Sequence, residues 1–102
     1  MTFKVIADDE AKREWSEAVD WYDNREPGVG LRFDDALRTF LQTLGEYPER
    51  FGLETRLTHK AKMPPLWPYS VYFTINTTYR EVKVLEIWHG ARNPARLRHR
   101  LK

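Results

Sequence analysis

The chain contains no cysteine, and this absence excludes disulfides, thiolate zinc sites and cysteine nucleophiles. It has no apolar run near the ~18 residues that a membrane span needs, and its N-terminus lacks the pattern of a signal peptide. Three scattered histidines show no metal-ligand spacing, and no glycine-rich phosphate loop or nucleophile elbow occurs. We therefore expect a cytoplasmic protein that needs neither metal nor cofactor and has no membrane partner.

Acidic residues are scarce in the second half of the chain. Residues 1–54 carry thirteen acids against seven Lys and Arg, a balance of −6. Residues 55–102 carry two acids against ten Lys and Arg, a balance of +8. Such asymmetry favours a polyanionic target or an acidic partner. The alternative is that the acids lie on solvated helix faces and the bases on solvated strands.

The length and composition of the chain fit one small globular domain. A chain of 102 residues has room for a single domain, so residues 1–102 are predicted to fold as one unit. The composition, 41% hydrophobic and 31% charged, is typical of a globular protein rather than a disordered one.

Two amphipathic helices are predicted in the acidic half. Asp8 or Asp9 can cap the first helix, which ends near Asn24. Its apolar stripe consists of Ala11, Trp15, Ala18, Val19 and Tyr22. The second helix, ended by Gly45 and Pro48, has the stripe Phe33, Ala36, Leu37, Phe40, Leu41 and Leu44. The short link between the helices favours an antiparallel helical hairpin.

Strands are predicted before and after this hairpin. Apolar or alternating runs predict strands at residues 3–7, 69–76 and 81–89, and residues 56–62 can form an edge strand. Residues 93–102 are predicted to form a last helix, capped by their first residue. The order β-α-α-β-β-β-α predicts an α+β fold, in which two helices bury their stripes on one face of a small, mostly antiparallel sheet.

The C-terminal end of the chain carries the first candidate site. It contains no acid and comprises His89, Arg92, Arg96, Arg98, His99, Arg100 and Lys102. Arg92 and Arg96, at helical spacing, can bind phosphate or carboxylate. His89 ends a predicted strand and can either move a proton near neutral pH or hydrogen-bond a backbone carbonyl and fix the following turn. For residues 98–102 a solvated tail is the favoured interpretation.

A second candidate site lies on the predicted edge strand. Alternation places Arg56, Thr58, Lys60 and Lys62 on one side of it, where a basic ladder can track a phosphate backbone. The alternative is a charged edge strand that prevents aggregation. Nearby aromatic residues can stack on bases or simply fill the core; they are Trp67, Tyr69, Tyr72, Phe73, Tyr79 and Trp88.

Several motifs of this chain resemble those of a known superfamily. Residues 67–73 read WPYSVYF, and residues 82–94 read VKVLEIWHGARNP. The first helix carries the pair Trp21 and Tyr22, and the second is followed by YPERFG at residues 47–52. In this order, over nearly the whole chain, they resemble the RelE/ParE toxin superfamily, and within it the ParE-like plasmid-stabilisation group. The departures are Asn93, Leu97 and Phe73, where relatives usually carry Asp, Trp and Tyr.

The resemblance implies a RelE/ParE-like fold and the toxin of a type II toxin–antitoxin pair, neutralised by a cognate acidic antitoxin protein. ParE-like members of the superfamily poison DNA gyrase, whereas RelE-like members cleave mRNA on the ribosome without a metal. The ParE-like pattern is the closer one, so gyrase binding is the favoured function and ribosome-dependent mRNA cleavage the alternative. A domain that keeps only antitoxin binding is a third hypothesis.

The candidate residues take different roles under these hypotheses. In a nuclease, Lys60 or His89 can move protons, and Arg56 or Arg92 can neutralise phosphate. In a binding protein, the surface that meets the target or the antitoxin is predicted to include Arg56, Lys60, Lys62, Tyr69, His89, Arg92 and Arg96.

Overall fold

The computed structural model, which describes residues 2–93, 95–97 and 101, has two helices and four strands in the predicted order. The elements are β1 (Lys4–Ala7), α1 (Asp9–Arg25), α2 (Val29–Glu46), β2 (His59–Lys62), β3 (Tyr69–Asn76) and β4 (Glu81–His89), with a 3₁₀ turn at Pro48–Arg50 after α2. The predicted α+β order is therefore confirmed, and β3 and β4 have the predicted bounds.

The four strands form one sheet in the order β1-β4-β3-β2. β1 runs parallel to β4, and the other two pairs are antiparallel. Tyr72 pairs with Glu86 and Phe73 with Val84, so Leu85 is an extra residue that forms a bulge in β4. A bulge re-aims the side chains that follow it, and the candidate site lies at that end of β4.

The two helices pack against one face of the sheet, as their apolar stripes predict. Their junction is tight: a Cβ added to Gly30 would lie 2.5 Å from the carbonyl oxygen of Val19. Asp23 on α1 accepts a hydrogen bond from the Gly30 N–H at 2.7 Å and so satisfies a free donor in the first turn of α2. The fully buried side chains between helices and sheet include Phe33, Leu37, Leu44, Val71, Phe73, Val82 and Val84.

The prediction that Gly45 ends the second helix is wrong, because α2 continues to Glu46. Gly45 lies where the helix crosses β1. Its carbonyl accepts the Phe3 N–H at 2.7 Å, and an added Cβ would lie 2.9 Å from a methyl group of Val5. The glycine therefore permits close packing between helix and strand rather than a left-handed cap.

A smaller apolar cluster lies apart from the main core and comprises Tyr72, Trp88, Leu97 and Leu101, with Leu85 against it. Residues 95–97 are helical, and the Asn93 side chain accepts the Ala95 N–H at 2.9 Å, so the predicted cap is confirmed. Residues 94, 98–100 and 102 of the predicted last helix lie outside the described residues. Leu97 is buried in this cluster.

The predicted edge strand is shorter than expected. β2 begins at His59, and Arg56 lies in a bend before it, so the expectation that Arg56, Thr58, Lys60 and Lys62 share one side is wrong. Thr58 is buried, whereas Lys60 and Lys62 are exposed. The backbone N–H groups of Glu54 and Thr55 bond to the Thr58 carbonyl, so these residues form a tight loop instead of a strand. Within the described part of the chain, no helix has the length and apolar character needed to cross a bilayer.

Candidate functional site

A small pocket of about 160 Å³ lies where α1 crosses the C-terminal end of β4, and we call it the β4 pocket. It is lined by Glu14, Glu17, Ala18, Trp21, Tyr69, Ile87, His89 and Arg92. Tyr69 begins β3 opposite His89 at the end of β4, and their rings meet edge to face at 5.0 Å. Three of the predicted site residues, Tyr69, His89 and Arg92, therefore line one pocket.

Glu14 connects the helix to this end of the strand. Its side chain is 3% exposed, one carboxylate oxygen accepts the Ile87 N–H at 2.8 Å, and the other lies 3.3 Å from a guanidinium nitrogen of Arg92. One carboxylate thus satisfies a backbone donor of β4 and holds the cation in the turn that follows.

A second buried carboxyl group, that of Glu86, lies beside Glu14. Burial, a hydrogen bond with Glu86 and the charge of Glu86 raise the pKa of Glu14 from its ordinary 4.5 to about 8. The Ile87 N–H and Arg92 act in the opposite direction. Two carboxyl groups can hydrogen-bond to each other only if one of them carries a proton. The raised pKa favours the protonated form of Glu14 near neutral pH, and in that form its carboxyl group can donate a hydrogen bond to Glu86.

Arg92 lies between the buried carboxylate and an aromatic ring. Its guanidinium carbon is 3.8 Å from the ring centre of Trp88, and the side chain is 38% exposed. Stacking and ion pairing together fix the plane of the guanidinium, and the exposed part faces solvent. The predicted helical pair of Arg92 and Arg96 is wrong, because Arg92 lies in the turn before the capping Asn93 and Arg96 follows it.

His89 fixes the turn through its ring. Nδ1 accepts the Ala91 N–H at 2.9 Å, so in the neutral ring the proton is on Nε2. Of the two roles predicted for His89, proton transfer and fixing the turn, the structure shows a hydrogen bond for the second. The group bonded to the ring is the Ala91 N–H, whereas the prediction expected a backbone carbonyl. Burial raises the pKa of Tyr69 to about 12, so its hydroxyl keeps its proton and can donate a hydrogen bond.

The other predicted site residues lie elsewhere. Lys60 and Lys62 are exposed on β2, two strands away from β4, and the Lys60 ammonium lies 5.8 Å from the Tyr72 ring centre. Arg56 and Arg96 are exposed, one in the bend before β2 and the other after the β4 turn. The structure therefore divides the predicted surface into the β4 pocket and a separate lysine edge, which we define as Lys60 and Lys62.

The proposed base-stacking set of aromatic residues is mostly interior. Tyr69, Tyr72, Phe73 and Trp88 are each at most 9% exposed, Trp67 is partly buried against the core, and Tyr79, in the β3–β4 turn, is the exposed member of the set. The alternative interpretation, that aromatic residues at strand spacing are core, is correct for these four.

Carboxylate oxygens of Glu10, Glu14 and Glu86 lie within 4.8 Å of one another. Both oxygens of Glu14 already have protein partners, the Ile87 N–H and Arg92, and burial beside Glu86 raises the pKa of its carboxyl group. These groups form a hydrogen-bonded acid pair with an arginine counter-ion, and we do not interpret them as a cation site.

Similarity to known proteins identifies the family of this chain. The family model described as the ParE toxin of type II toxin–antitoxin systems, parDE, matches residues 5–94. The chain belongs to the ParE toxin family. A curated relative, Toxin RelE1 of Caulobacter vibrioides, is 29% identical over 90 residues, which are 88% of this chain and 96% of the relative. The predicted membership of the RelE/ParE superfamily is confirmed.

Solved structures of the same superfamily share the fold. The chromosomal ParDE system of P. aeruginosa has a TM-score of 0.73 at 16% identity, covering 86% of this chain and 96% of that one. The RelBE2 toxin–antitoxin complex of Mycobacterium tuberculosis has a TM-score of 0.68 at 21% identity, covering 90% and 95%. Isolated E. coli RelE has a TM-score of 0.62 at 18% identity, covering 95% and 94%.

Sequence reasoning missed the two acids at the centre of the site of this ParE-family chain. Glu14 lies three residues after Ala11 and four before Ala18, both buried stripe positions of α1. A carboxylate inside an apolar stripe is the signal that could have found it, since charged residues are buried only with a partner. Glu86 follows Val82 and Val84 at the same alternation and is buried like them, so an acid at an apolar strand position was the corresponding signal in β4.

Proposed function

We propose that this ParE-family toxin acts by binding a protein target, DNA gyrase, through the β4 pocket and its rim. The observation that carries this proposal is the position of Arg92, which is tied to Glu14 and stacked on Trp88 with an exposed outer part. A fixed, partly desolvated arginine beside an exposed aromatic residue, here Trp21, is the composition of protein-binding hot spots.

The same geometry is poorly arranged for cutting RNA. A metal-free nuclease needs a base, an acid and a cation around one phosphate. Among the described residues, Lys60 lies two strands from β4, and Arg56 lies in the bend before β2. Arg92 already has a partner in Glu14, and the carboxylate of Glu17 in the same pocket repels a phosphate group.

The partner that controls the toxin is an acidic antitoxin. Residues 55–102 carry a balance of +8, and the exposed lysine edge belongs to this part of the chain. The M. tuberculosis and E. coli relatives were solved as toxin–antitoxin complexes. Charge complementarity of this kind steers association and excludes wrong partners.

The test is induction of the chain alone and together with any small acidic protein that an adjacent reading frame encodes. We expect growth arrest only without that protein, loss of plasmid supercoiling, and intact mRNA. Purified toxin should inhibit gyrase in vitro, and Arg92→Ala should weaken inhibition about tenfold or more with the fold retained.

The alternative is mRNA cleavage, which the resemblance to RelE-like members of the superfamily implies; Toxin RelE1 is such a relative by name. If ribosome-bound mRNA is cut while supercoiling is unaffected, the gyrase proposal is wrong. In that case Arg92→Ala should reduce the cleavage rate by on the order of 10²-fold, because the cation that stabilises the phosphorane is removed. Inhibition of neither process, with antitoxin binding retained, would indicate a domain that keeps only the antitoxin-binding role.

A further inference from the structure

We propose that His89 is a positioning residue of the β4 pocket: its Nδ1 accepts the Ala91 N–H and thereby holds the turn that presents Arg92. The inference rests on the proposed function, since it concerns how the same pocket offers its arginine to the target. It gives the imidazole the role of a hydrogen-bond acceptor at Nδ1, in place of the proton transfer that a histidine in a pocket otherwise suggests.

The turn after β4 is held by a bond from each of its backbone donors. The Arg92 N–H bonds to the His89 carbonyl at 3.0 Å and closes a β-turn, and the Gly90 N–H bonds to the Pro68 carbonyl at 2.8 Å. The Ala91 N–H bonds to Nδ1 of His89 at 2.9 Å. The first two bonds join backbone groups, which every sequence provides. The third bond uses a side chain, so this bond makes the turn depend on the identity of residue 89.

Gly90 increases the need for such a bond, because glycine gives a turn more conformations to choose from. Its φ lies outside the left-handed region, and an added Cβ would lie 3.5 Å from the Pro68 carbonyl oxygen, an ordinary contact. Neither backbone angle nor space therefore requires a glycine here, and its effect is freedom of the open turn. The bond from His89 selects one conformation from this larger set.

The ring that accepts the bond is itself ordered, and the turn that it closes ends at the arginine. Tyr69 pairs with His89 across β3 and β4, and their rings meet edge to face at 5.0 Å. The Arg92 guanidinium reaches Glu14 at 3.3 Å and the Trp88 ring centre at 3.8 Å. A change in the turn moves the backbone of Arg92 and so weakens both contacts. A side chain that is already held in place loses less conformational entropy when a target binds.

The bond also fixes the tautomer of His89. A nitrogen that accepts an N–H carries no proton, so the neutral ring has its proton on Nε2. His59 has the opposite arrangement, because its Nδ1 lies 2.8 Å from the Phe51 carbonyl, which can only accept. The two histidines are therefore expected to be different tautomers in the same molecule.

The chain itself shows which side chain can replace the imidazole. Four residues after His89, the Asn93 side chain accepts the N–H of Ala95 at 2.9 Å, again two positions further along the chain. This is the bond of an Asx-turn, which asparagine forms readily. His89→Asn can therefore keep an acceptor for the Ala91 N–H. His89→Leu has nearly the same shape as His89→Asn and offers no acceptor, so the two variants are a matched pair.

The first measurement needs no substitution. The imidazole nitrogens of the ¹⁵N-labelled full chain are observed by long-range proton–nitrogen correlation at about pH 8, where an unperturbed imidazole is neutral. We expect Nδ1 to be the unprotonated nitrogen in His89 and the protonated one in His59, which serves as the internal control. A protonated Nδ1 in neutral His89 would overturn the inference.

The second measurement compares His89→Asn with His89→Leu in the full chain. The Arg92 side-chain protons, which the ring current of Trp88 shifts upfield, are followed together with gyrase inhibition. His89→Asn should keep the upfield shift and retain inhibition within about twofold. His89→Leu should reduce the upfield shift and weaken inhibition about 3–10-fold, the effect of one neutral hydrogen bond.

Equal results for the two variants would overturn the inference. If both lose the Arg92 shift, the imidazole acts through something other than its acceptor, and if both keep it, the turn does not need the bond. If His89→Leu does not fold, the tautomer of the wild type and the Arg92 shift in His89→Asn still test the bond. Agreement of all NMR results with expectation, together with absent gyrase inhibition by the wild type, would support the positioning role while removing gyrase as the target.

Discussion

The β4 pocket and the lysine edge both carry positive charge, but the structure holds their cations in different ways. Arg92 has a buried carboxylate on one side and an indole ring on the other, whereas Lys60 and Lys62 extend from an edge strand into solvent. A constrained cation contributes to the specificity of a complex, and a mobile one contributes mainly to the rate at which it forms. The two surfaces therefore differ in the contacts that hold their cations, because Arg92 is paired with the buried Glu14 and the two lysines are exposed.

Removal of the Glu14 carboxylate should destabilise the fold more than any other change considered for the two surfaces. Glu14→Ala should lower the free energy of unfolding by about 2–4 kcal/mol, because the Ile87 N–H and Arg92 both lose their acceptor. Urea unfolding at pH 7 measures this change. Lys60→Ala is the matched control, and it should change stability by less than about 0.5 kcal/mol. Equal effects of the two variants would mean that the carboxylate does not anchor β4.

Most of the fold was predictable because its elements have clear periodicity. In β3, Tyr69, Val71, Phe73 and Ile75 alternate toward the core, and so the predicted bounds were correct. Gly45 was misassigned because local sequence cannot show that β1 crosses the helix there. The start of β2 was predicted too early, at residue 56 instead of His59. The sequence does not show that the N–H groups of Glu54 and Thr55 bond to the Thr58 carbonyl, and these bonds make this segment a loop.

The site was only partly predictable, because its centre is a tertiary contact. His89 and Arg92 were found from the turn after β4, and Tyr69 from the resemblance to the ParE-like motif. The partner of Arg92 lies 78 residues earlier in the chain, on another element. Such pairing depends on how α1 crosses the sheet, and no pattern of spacing encodes it.

The stability of the fold should depend on pH through Glu14. The pKa of Glu14 is higher in the folded chain, about 8, than the ordinary 4.5 expected of the unfolded chain. The folded state therefore binds more protons between these values, so the stabilisation is complete below pH 4.5 and is lost as pH rises through 8. We expect the free energy of unfolding to fall by about 2 kcal/mol between pH 6 and pH 9.

Glu14→Gln is the control for this pH dependence. Its amide can still accept the Ile87 N–H but cannot ionise, so the slope of stability against pH should largely disappear. Urea midpoints at matched ionic strength measure both proteins. A slope that survives in Glu14→Gln would assign the titration to another group and would detach the pH dependence from the β4 pocket.

Substitutions in the lysine edge should change mainly the rate of association with the antitoxin. Lys60→Gln with Lys62→Gln should slow association with the acidic antitoxin about 2–5-fold at low salt and leave the dissociation rate nearly unchanged, because exposed charges act mainly before contact. The difference in association rate should vanish near 0.5 M salt, where screening acts within roughly 4–5 Å.

Arg92→Gln should give the opposite pattern in gyrase binding, with faster dissociation and little change in association. Surface plasmon resonance at several salt concentrations measures both rates. If the lysine variant instead dissociates faster at every salt concentration, Lys60 and Lys62 lie in a contact from which water is excluded. The lysine edge would then resemble the β4 pocket more than its exposure implies.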